Sequence, residues 1–117
     1  MTARRFLIVE DEPLIAMVLE DFLGVLGAQV AATADSVAEA LARVAQGGID
    51  AAILDVNLAG GEKSWPVAAA LAQAGIDFAF ASGGGEGEIA LAHRNRAVLA
   101  KPFTLADVER TLARLAV

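Results

Sequence analysis

Four short apolar runs each end at once on groups able to handle charge: Glu10 and Asp11 after the first, Asp55 after the third, Ser82 after the fourth and Lys101 after the fifth. If these runs are parallel strands, all of those groups sit at carboxyl ends, the edge of an open parallel sheet where ligands bind. Carboxylates roughly 5 Å apart repel by about 3 kcal/mol per pair at an effective dielectric of about 20. Glu10, Asp11 and Asp55 brought together therefore need a positive partner. Oxygen ligands with no histidine or cysteine among them favour a hard cation, and a small set of carboxylates completed by water favours Mg2+ over Ca2+. Lys101 supplies a second positive charge. A divalent cation, a lysine and a hydroxyl around one carboxylate are what phosphoryl transfer requires, because its main demand is to position the group and neutralise its equatorial oxygens. Asp55 is the nucleophile in this reading, and its product, an acyl phosphate, is a covalent intermediate that water can hydrolyse.

The elements that must position these groups are legible in the apolar pattern. Phe6–Val9, Ala28–Ala32, Ala51–Leu54, Phe78–Ala81 and Ala97–Ala100 are continuous rather than alternating runs, which suits a parallel sheet covered on both faces. The second run offers little chemistry at its end, as befits an outer strand. Between the runs, Leu14, Ile15, Val18, Leu19, Phe22, Leu23 and Leu26 recur at helical spacing, as do Val37, Ala40, Leu41 and Val44. Ser36 with Glu39 and Thr104 with Asp107 have the spacing of capping boxes. Ser64 and Pro66 can open a third helix from Val67 to about Gln73, and a short fourth follows Gly83–Gly85. Five alternations of strand and helix predict an α/β parallel sheet sandwiched by right-handed crossovers.

Composition bounds the remaining possibilities. The chain has 117 residues, enough for one domain over residues 1–117 and too few for two. Cysteine is absent, which excludes disulfides, thiol catalysis and thiolate metal sites. A net charge of −6 without a basic stripe argues against direct nucleic-acid binding. No apolar stretch approaches the roughly 18 residues of a membrane span, and no signal peptide is evident. A cytoplasmic protein that touches neither nucleic acid nor membrane is the expectation.

The arrangement resembles the receiver domains of bacterial response regulators from Phe6 to about Leu115. The resemblance is carried by Val9-Glu10-Asp11-Glu12-Pro13, Ile53-Leu54-Asp55-Val56-Asn57-Leu58, Ser82 after the fourth strand, and Lys101-Pro102-Phe103. It implies a flavodoxin-like doubly wound (βα)5 fold of five parallel strands in the order 2-1-3-4-5. By it, Asp11 and Asp55 would ligate Mg2+ directly together with the backbone carbonyl of Asn57, while Glu10 would act mostly through water. Ser82 and Lys101 would hold phosphoryl oxygens, and a cis peptide would precede Pro102. The implied partners are a sensor histidine kinase or a histidine phosphotransfer protein as phosphodonor, and an output protein reached in trans. The chain would be no enzyme beyond catalysing its own phosphorylation and slow autodephosphorylation.

A narrower resemblance, to the single-domain receivers called the FAT GUY family, rests on Gly61-Glu62-Lys63-Ser64-Trp65-Pro66-Val67-Ala68 and Phe78-Ala79-Phe80-Ala81-Ser82-Gly83. The chain departs from that pattern with Asp77 for a proline, Ser82 for a threonine and Gly84 for a tyrosine. Receivers in general carry a tyrosine or phenylalanine three residues before the lysine, where this chain has Val98. The segment Ser82–Gly87 is the candidate moving element in its place. Two other readings stand beside this one: a pseudo-receiver that binds partners without phosphorylation, and a small phosphohydrolase using Asp55. The second lacks an acid-base carboxylate two residues after the nucleophile, since Asn57 stands there. Gly83, Gly84, Gly85 and Gly87 match no nucleotide-loop pattern. Trp65 reads as a shield for the third helix, His93 as surface packing, and Arg94, Arg96, Arg110 and Arg114 as a solvated face.

Overall fold

Every one of the five apolar runs forms a strand in the computed structural model, which describes residues 3–84, 89, 93 and 95–115. The strands are β1 (Arg5–Val9), β2 (Gln29–Ala34), β3 (Ala51–Asp55), β4 (Asp77–Ser82) and β5 (Ala97–Ala100). Helices α1 (Pro13–Val25), α2 (Val37–Gln46) and α3 (Trp65–Gln73) join the first four strands, and α4 (Leu105–Arg114) follows β5. The fourth helix expected after Gly83–Gly85 lies outside the described residues. All strand pairs are parallel, in the order β2-β1-β3-β4-β5. From β1 the chain steps outward to β2 and then returns to the far side of β1 as β3. The order therefore reverses between β1 and β3, and the crevice at their carboxyl ends is the fold's natural binding place.

Continuous apolar runs bury both faces because successive strand residues point to opposite sides. On one side Leu7, Val9, Ala52, Leu54, Phe78 and Phe80 pack under Ala40 of α2 and Val67, Ala68 and Leu71 of α3. On the other, Phe6, Ile8, Ile53, Ala79, Ala81 and Leu99 meet Leu19 and Leu23 of α1 and Val108 and Leu112 of α4. Complete burial of a large apolar side chain such as Phe80 contributes about 1.5–3 kcal/mol relative to leaving it in water.

Local chemistry sets the helix ends. The Thr104 hydroxyl accepts from the Asp107 N–H and the Asp107 carboxylate accepts from the Thr104 N–H, a complete capping box. At α2 the Ser36 hydroxyl accepts from the Glu39 N–H, but the Glu39 carboxylate reaches the Asp35 N–H, one residue earlier than a capping box requires. Helix α3 begins at Trp65, two residues before the sequence pattern places it, with Pro66 in its first turn.

Helix α1 departs from expectation. Of its apolar set Leu19 and Leu23 are buried, whereas Leu14 and Val18 are 72% and 41% exposed. Leu19 and Leu23 take up the contact with the sheet and α4, while Leu14, Ile15 and Val18 line an open cavity of about 390 Å3 with Lys101, Pro102 and Phe103. Arg96 is not a solvated surface charge either: its guanidinium lies 2.7 Å from Asp77 and 4.4 Å from the centre of the Phe78 ring.

Candidate functional site

The reversal point collects the acidic groups. Glu10 follows β1 and is 4% exposed, and Asp55, the last residue of β3, is 8% exposed. Asp11 follows Glu10 and is half-buried. One carboxylate oxygen from each of the three lies within 4.8 Å of the others. At that spacing and an effective dielectric of about 20, each ionised pair repels by about 3 kcal/mol.

Lys101 answers part of that charge. The residue follows β5, two strands away from β3, and its Nζ lies 3.0 Å from both Glu10 Oε1 and Asp55 Oδ2. The peptide joining it to Pro102 is cis, as the resemblance implies. Burial opposes the ammonium charge, but hydrogen bonds to Asp55 and Glu10 and their negative charges outweigh it, so the Lys101 pKa lies above its ordinary 10.5. Lys101 does not compensate Glu10 fully. Burial, reinforced by the hydrogen bond and charge of Asp55, pushes the Glu10 carboxyl up from 4.5 to about 7, against the opposing pull of Lys101 and the Glu12 N–H. Three carboxylates share this place with one ammonium, so the cluster is short of positive charge when all are ionised.

That excess of negative charge suits a cation. Mg2+ takes oxygen ligands in a tight octahedron and usually retains several waters. The donors here are all carboxylate oxygens, converge within one ion's reach, and hold more negative charge than the lysine neutralises. They fit.

The other predicted residues are placed around this cluster. Ser82 ends β4 and is buried, its hydroxyl accepting from the Gly84 N–H at 3.1 Å while its carbonyl accepts from the Lys101 N–H at 2.9 Å. Asn57, two residues beyond Asp55, is exposed, and its side-chain oxygen accepts from the Lys63 ammonium. The structure thus gathers Glu10, Asp11, Asp55 and Lys101 into direct proximity, with Ser82 and Asn57 on the flanking strand end and loop. Of the segment Ser82–Gly87, residues from Gly85 on lie outside the described residues, as does Arg94.

Three features escape a reading of strand ends alone. The end of β2 is not chemically empty, because Thr33, Asp35 and Glu39 line a cavity of about 200 Å3 together with Glu10 and Asp11. The signal was present as polar residues just past an apolar run that ends two residues later than its hydrophobicity suggests. Lys63 engages Asn57, a pairing foreshadowed by residues flanking Gly60-Gly61, a hairpin-turn dipeptide. Val98 is half-buried beside Phe80, its register partner in β4. Aromatic bulk comes instead from Trp65, edge-on to Phe80 at 5.4 Å and stacked on His93 at 5.7 Å. Trp65 is itself the first residue of α3 and packs on Phe80, and His93 packs on the rings of Trp65 and Phe80.

Comparison with known proteins gives this geometry a family. Residues 6–113 match the model of the response regulator receiver domain. No curated protein sequence matches the chain significantly. Among solved structures, the chain is similar to the solution structure of SdrG from Sphingomonas melonis Fr1, with 60% identity, 97% of each chain covered and a TM-score of 0.87. The BeF3-activated conformation of SdrG from Pseudomonas melonis Fr1 matches with the same identity and coverage and a TM-score of 0.83. The receiver domain of PhyR from Erythrobacter litoralis is 29% identical, with 97% of this chain and 90% of that chain covered and a TM-score of 0.85. With a family match that spans β1 to α4 and includes every strand end described above, the chain belongs to the response regulator receiver domains.

Proposed function

We propose that this receiver accepts a phosphoryl group on Asp55 from a phosphohistidine, on a sensor histidine kinase or a histidine phosphotransfer protein, and signals in trans to an output protein. The observation that carries the proposal is the seat of Asp55: a carboxylate at the reversal point of the sheet, 3.0 Å from Lys101 and within one cation's reach of Glu10 and Asp11. The existence of a BeF3-activated conformation of SdrG, 60% identical to this chain, supports the same chemistry here.

Receiver domains typically bind Mg2+ at an acidic pocket, and Asp11 and Asp55, the backbone carbonyl of Asn57, and Glu10 through water would hold it here. Bound there, the ion supplies neutralisation of the phosphoryl oxygens. An Asp55 oxygen attacks phosphorus in line, the P–N bond to the donor imidazole breaks, and the bonding pair leaves with the imidazole, giving an acyl phosphate. Lys101, already shared between Asp55 and Glu10, transfers a donor to one phosphoryl oxygen, and the Ser82 hydroxyl rotates to donate to another. The mark carries about −2 charge where a carboxylate carried −1. Drawing Ser82 and Lys101 toward it shifts the ends of β4 and β5 and biases the surface they support. Water hydrolyses the mark slowly, so the chain's catalysis is confined to its own phosphorylation and dephosphorylation. The setting is cytoplasmic, consistent with the absence among the described residues of any helix long and apolar enough to cross a membrane.

Intact mass after incubation with Mg2+ and a small phosphodonor tests the reading. One phosphate adduct on the native protein, lost in Asp55→Ala, is the expected result, and an adduct that survives in Asp55→Ala overturns it.

A further inference from the structure

The segment 56–64, between β3 and α3, is a small antiparallel clasp. The Ser64 N–H donates to the Val56 carbonyl at 3.1 Å and the Leu58 N–H to the Glu62 carbonyl at 2.7 Å, leaving Asn57 and Lys63 directly opposite each other. Its tip is Ala59–Gly61, where Gly60 and Gly61 have φ of 74° and 77°, a backbone region that glycine occupies without steric cost. Glu62 ties the clasp to the neighbouring helix, its carboxylate accepting from the Val37 N–H at 2.9 Å.

The hydrogen-bond pattern decides what the clasp presents. Because the flanking bonds run from Leu58 to Glu62 and from Ser64 to Val56, Asn57 and Lys63 form a non-hydrogen-bonded pair. In such a pair the side chains approach closely while each residue's own N–H and C=O point away from the opposite strand. The first consequence is visible, since the Lys63 ammonium donates to Asn57 Oδ1. The second turns the Asn57 carbonyl away from Lys63, and Asn57 lies only two residues from Asp55.

Resting on the reading that Asn57 contributes its backbone carbonyl to a Mg2+ site, we propose that Lys63 is a positioning residue for that ion: its hold on the Asn57 side chain fixes the peptide whose carbonyl joins the carboxylates of Asp11 and Asp55. Groups that orient a metal ligand without touching the metal typically change affinity by about 10–100-fold when removed. An exposed lysine belongs at the low end of that range.

Electrostatics and positioning predict opposite signs, which makes the test decisive. Lys63 is a positive charge near a cation site, so its charge alone weakens Mg2+ binding and Lys63→Met tightens it. A positioning role makes Lys63→Met weaken binding. Calorimetric titration of the full chain with Mg2+ alone should give about tenfold weaker binding for Lys63→Met, binding within about twofold of the parent for Lys63→Arg, and a loss for Asn57→Ala equal to that of Lys63→Met. The double variant should lose no more than either single one, because both break the same contact. Unchanged or tighter binding in Lys63→Met, or additive losses in the double variant, overturns the proposal while leaving the metal site standing. A parent that binds no Mg2+ overturns the metal reading itself. Unfolding midpoints of the exposed variants, measured without Mg2+, should stay at the parent's value, separating loss of positioning from loss of fold.

Discussion

Replacing Glu10 by glutamine should stabilise the metal-free protein, and the gain should depend on pH. Glu10 is buried beside Asp55, and its carboxyl is raised from 4.5 to about 7. A carboxyl whose folded pKa is raised contributes stability that is complete below the unfolded value and is lost as pH rises through the folded one. The window of loss therefore runs from about pH 4.5 to about pH 7. A shift of roughly 2.5 pH units at about 1.4 kcal/mol per unit corresponds to about 3 kcal/mol of destabilisation once Glu10 is ionised. Glutamine has the shape of the protonated acid and stays neutral, so Glu10→Gln should be about 3 kcal/mol more stable than the parent near pH 8. Near pH 5 the difference should shrink below about 1 kcal/mol. In a domain of this size that is roughly a 10 °C rise in melting temperature at the higher pH. Urea denaturation in the presence of a chelator, at both pH values, measures the difference, and the urea dependence should be unchanged because the surface exposed on unfolding is the same. Adding Mg2+ should narrow the gap by stabilising the parent preferentially. A variant less stable than the parent near pH 8, or a gap of equal size at both pH values, would refute the claim that the carboxylate cluster is under-compensated.

Three other substitutions probe the parts of this arrangement. Lys101→Met leaves Glu10 and Asp55 without their shared cation and should cost about 2 kcal/mol in metal-free protein, less than for a fully buried pair because Lys101 is 20% exposed. That cost should grow as pH rises through the Glu10 titration near 7, because ionised Glu10 is one of the two carboxylates Lys101 neutralises, and fade above about pH 10.5 as the lysine gives up its own proton; a cost that stays constant from acid to neutral pH would contradict it. Phe80→Ala removes a fully buried ring in contact with Trp65 and Phe78 and should cost about 3–5 kcal/mol in chemical denaturation, with a shift in the emission of the single tryptophan. Thr104→Ala removes the α4 cap and should cost about 1 kcal/mol. The Thr104 backbone N–H, first among the causes that hold the Asp107 pKa below its usual 3.8, survives that substitution, so the cost should shrink only slightly as Asp107 protonates in acid; thermal melts from neutral to acid pH check this, and a cost that disappears in acid would contradict it.

Receiver chemistry is legible from the chain because a parallel sheet converts sequence order into spatial convergence. Each strand that ends on Glu10, Asp55, Ser82 or Lys101 must deliver that residue to the same edge, whatever the intervening helices contain. The apolar runs are equally readable, since a strand buried on both faces has no polar positions to confuse its pattern. Helix caps are local as well, and Thr104 with Asp107 needed only a spacing of three residues to be recognised. What only the tertiary structure decided depends on how much of a surface its neighbours cover and on which groups meet across long stretches of chain. The apolar stripe of α1 is visible in sequence, but its spacing cannot say that Leu14 and Val18 stay exposed, because that is set by which neighbouring elements pack over them. Asp77 and Arg96 are separate charges in the chain and an ion pair only because β4 begins beside the turn into β5. Lys101 lies 91 residues from Glu10, and its place between Glu10 and Asp55 follows from β1 and β3 being neighbours at the point where strand order reverses. Sequence named the participants because residue type and local spacing are properties of short segments; the balance of charge among them, which leaves Glu10 short of a cation, is a property of distances and burial and exists only in the fold.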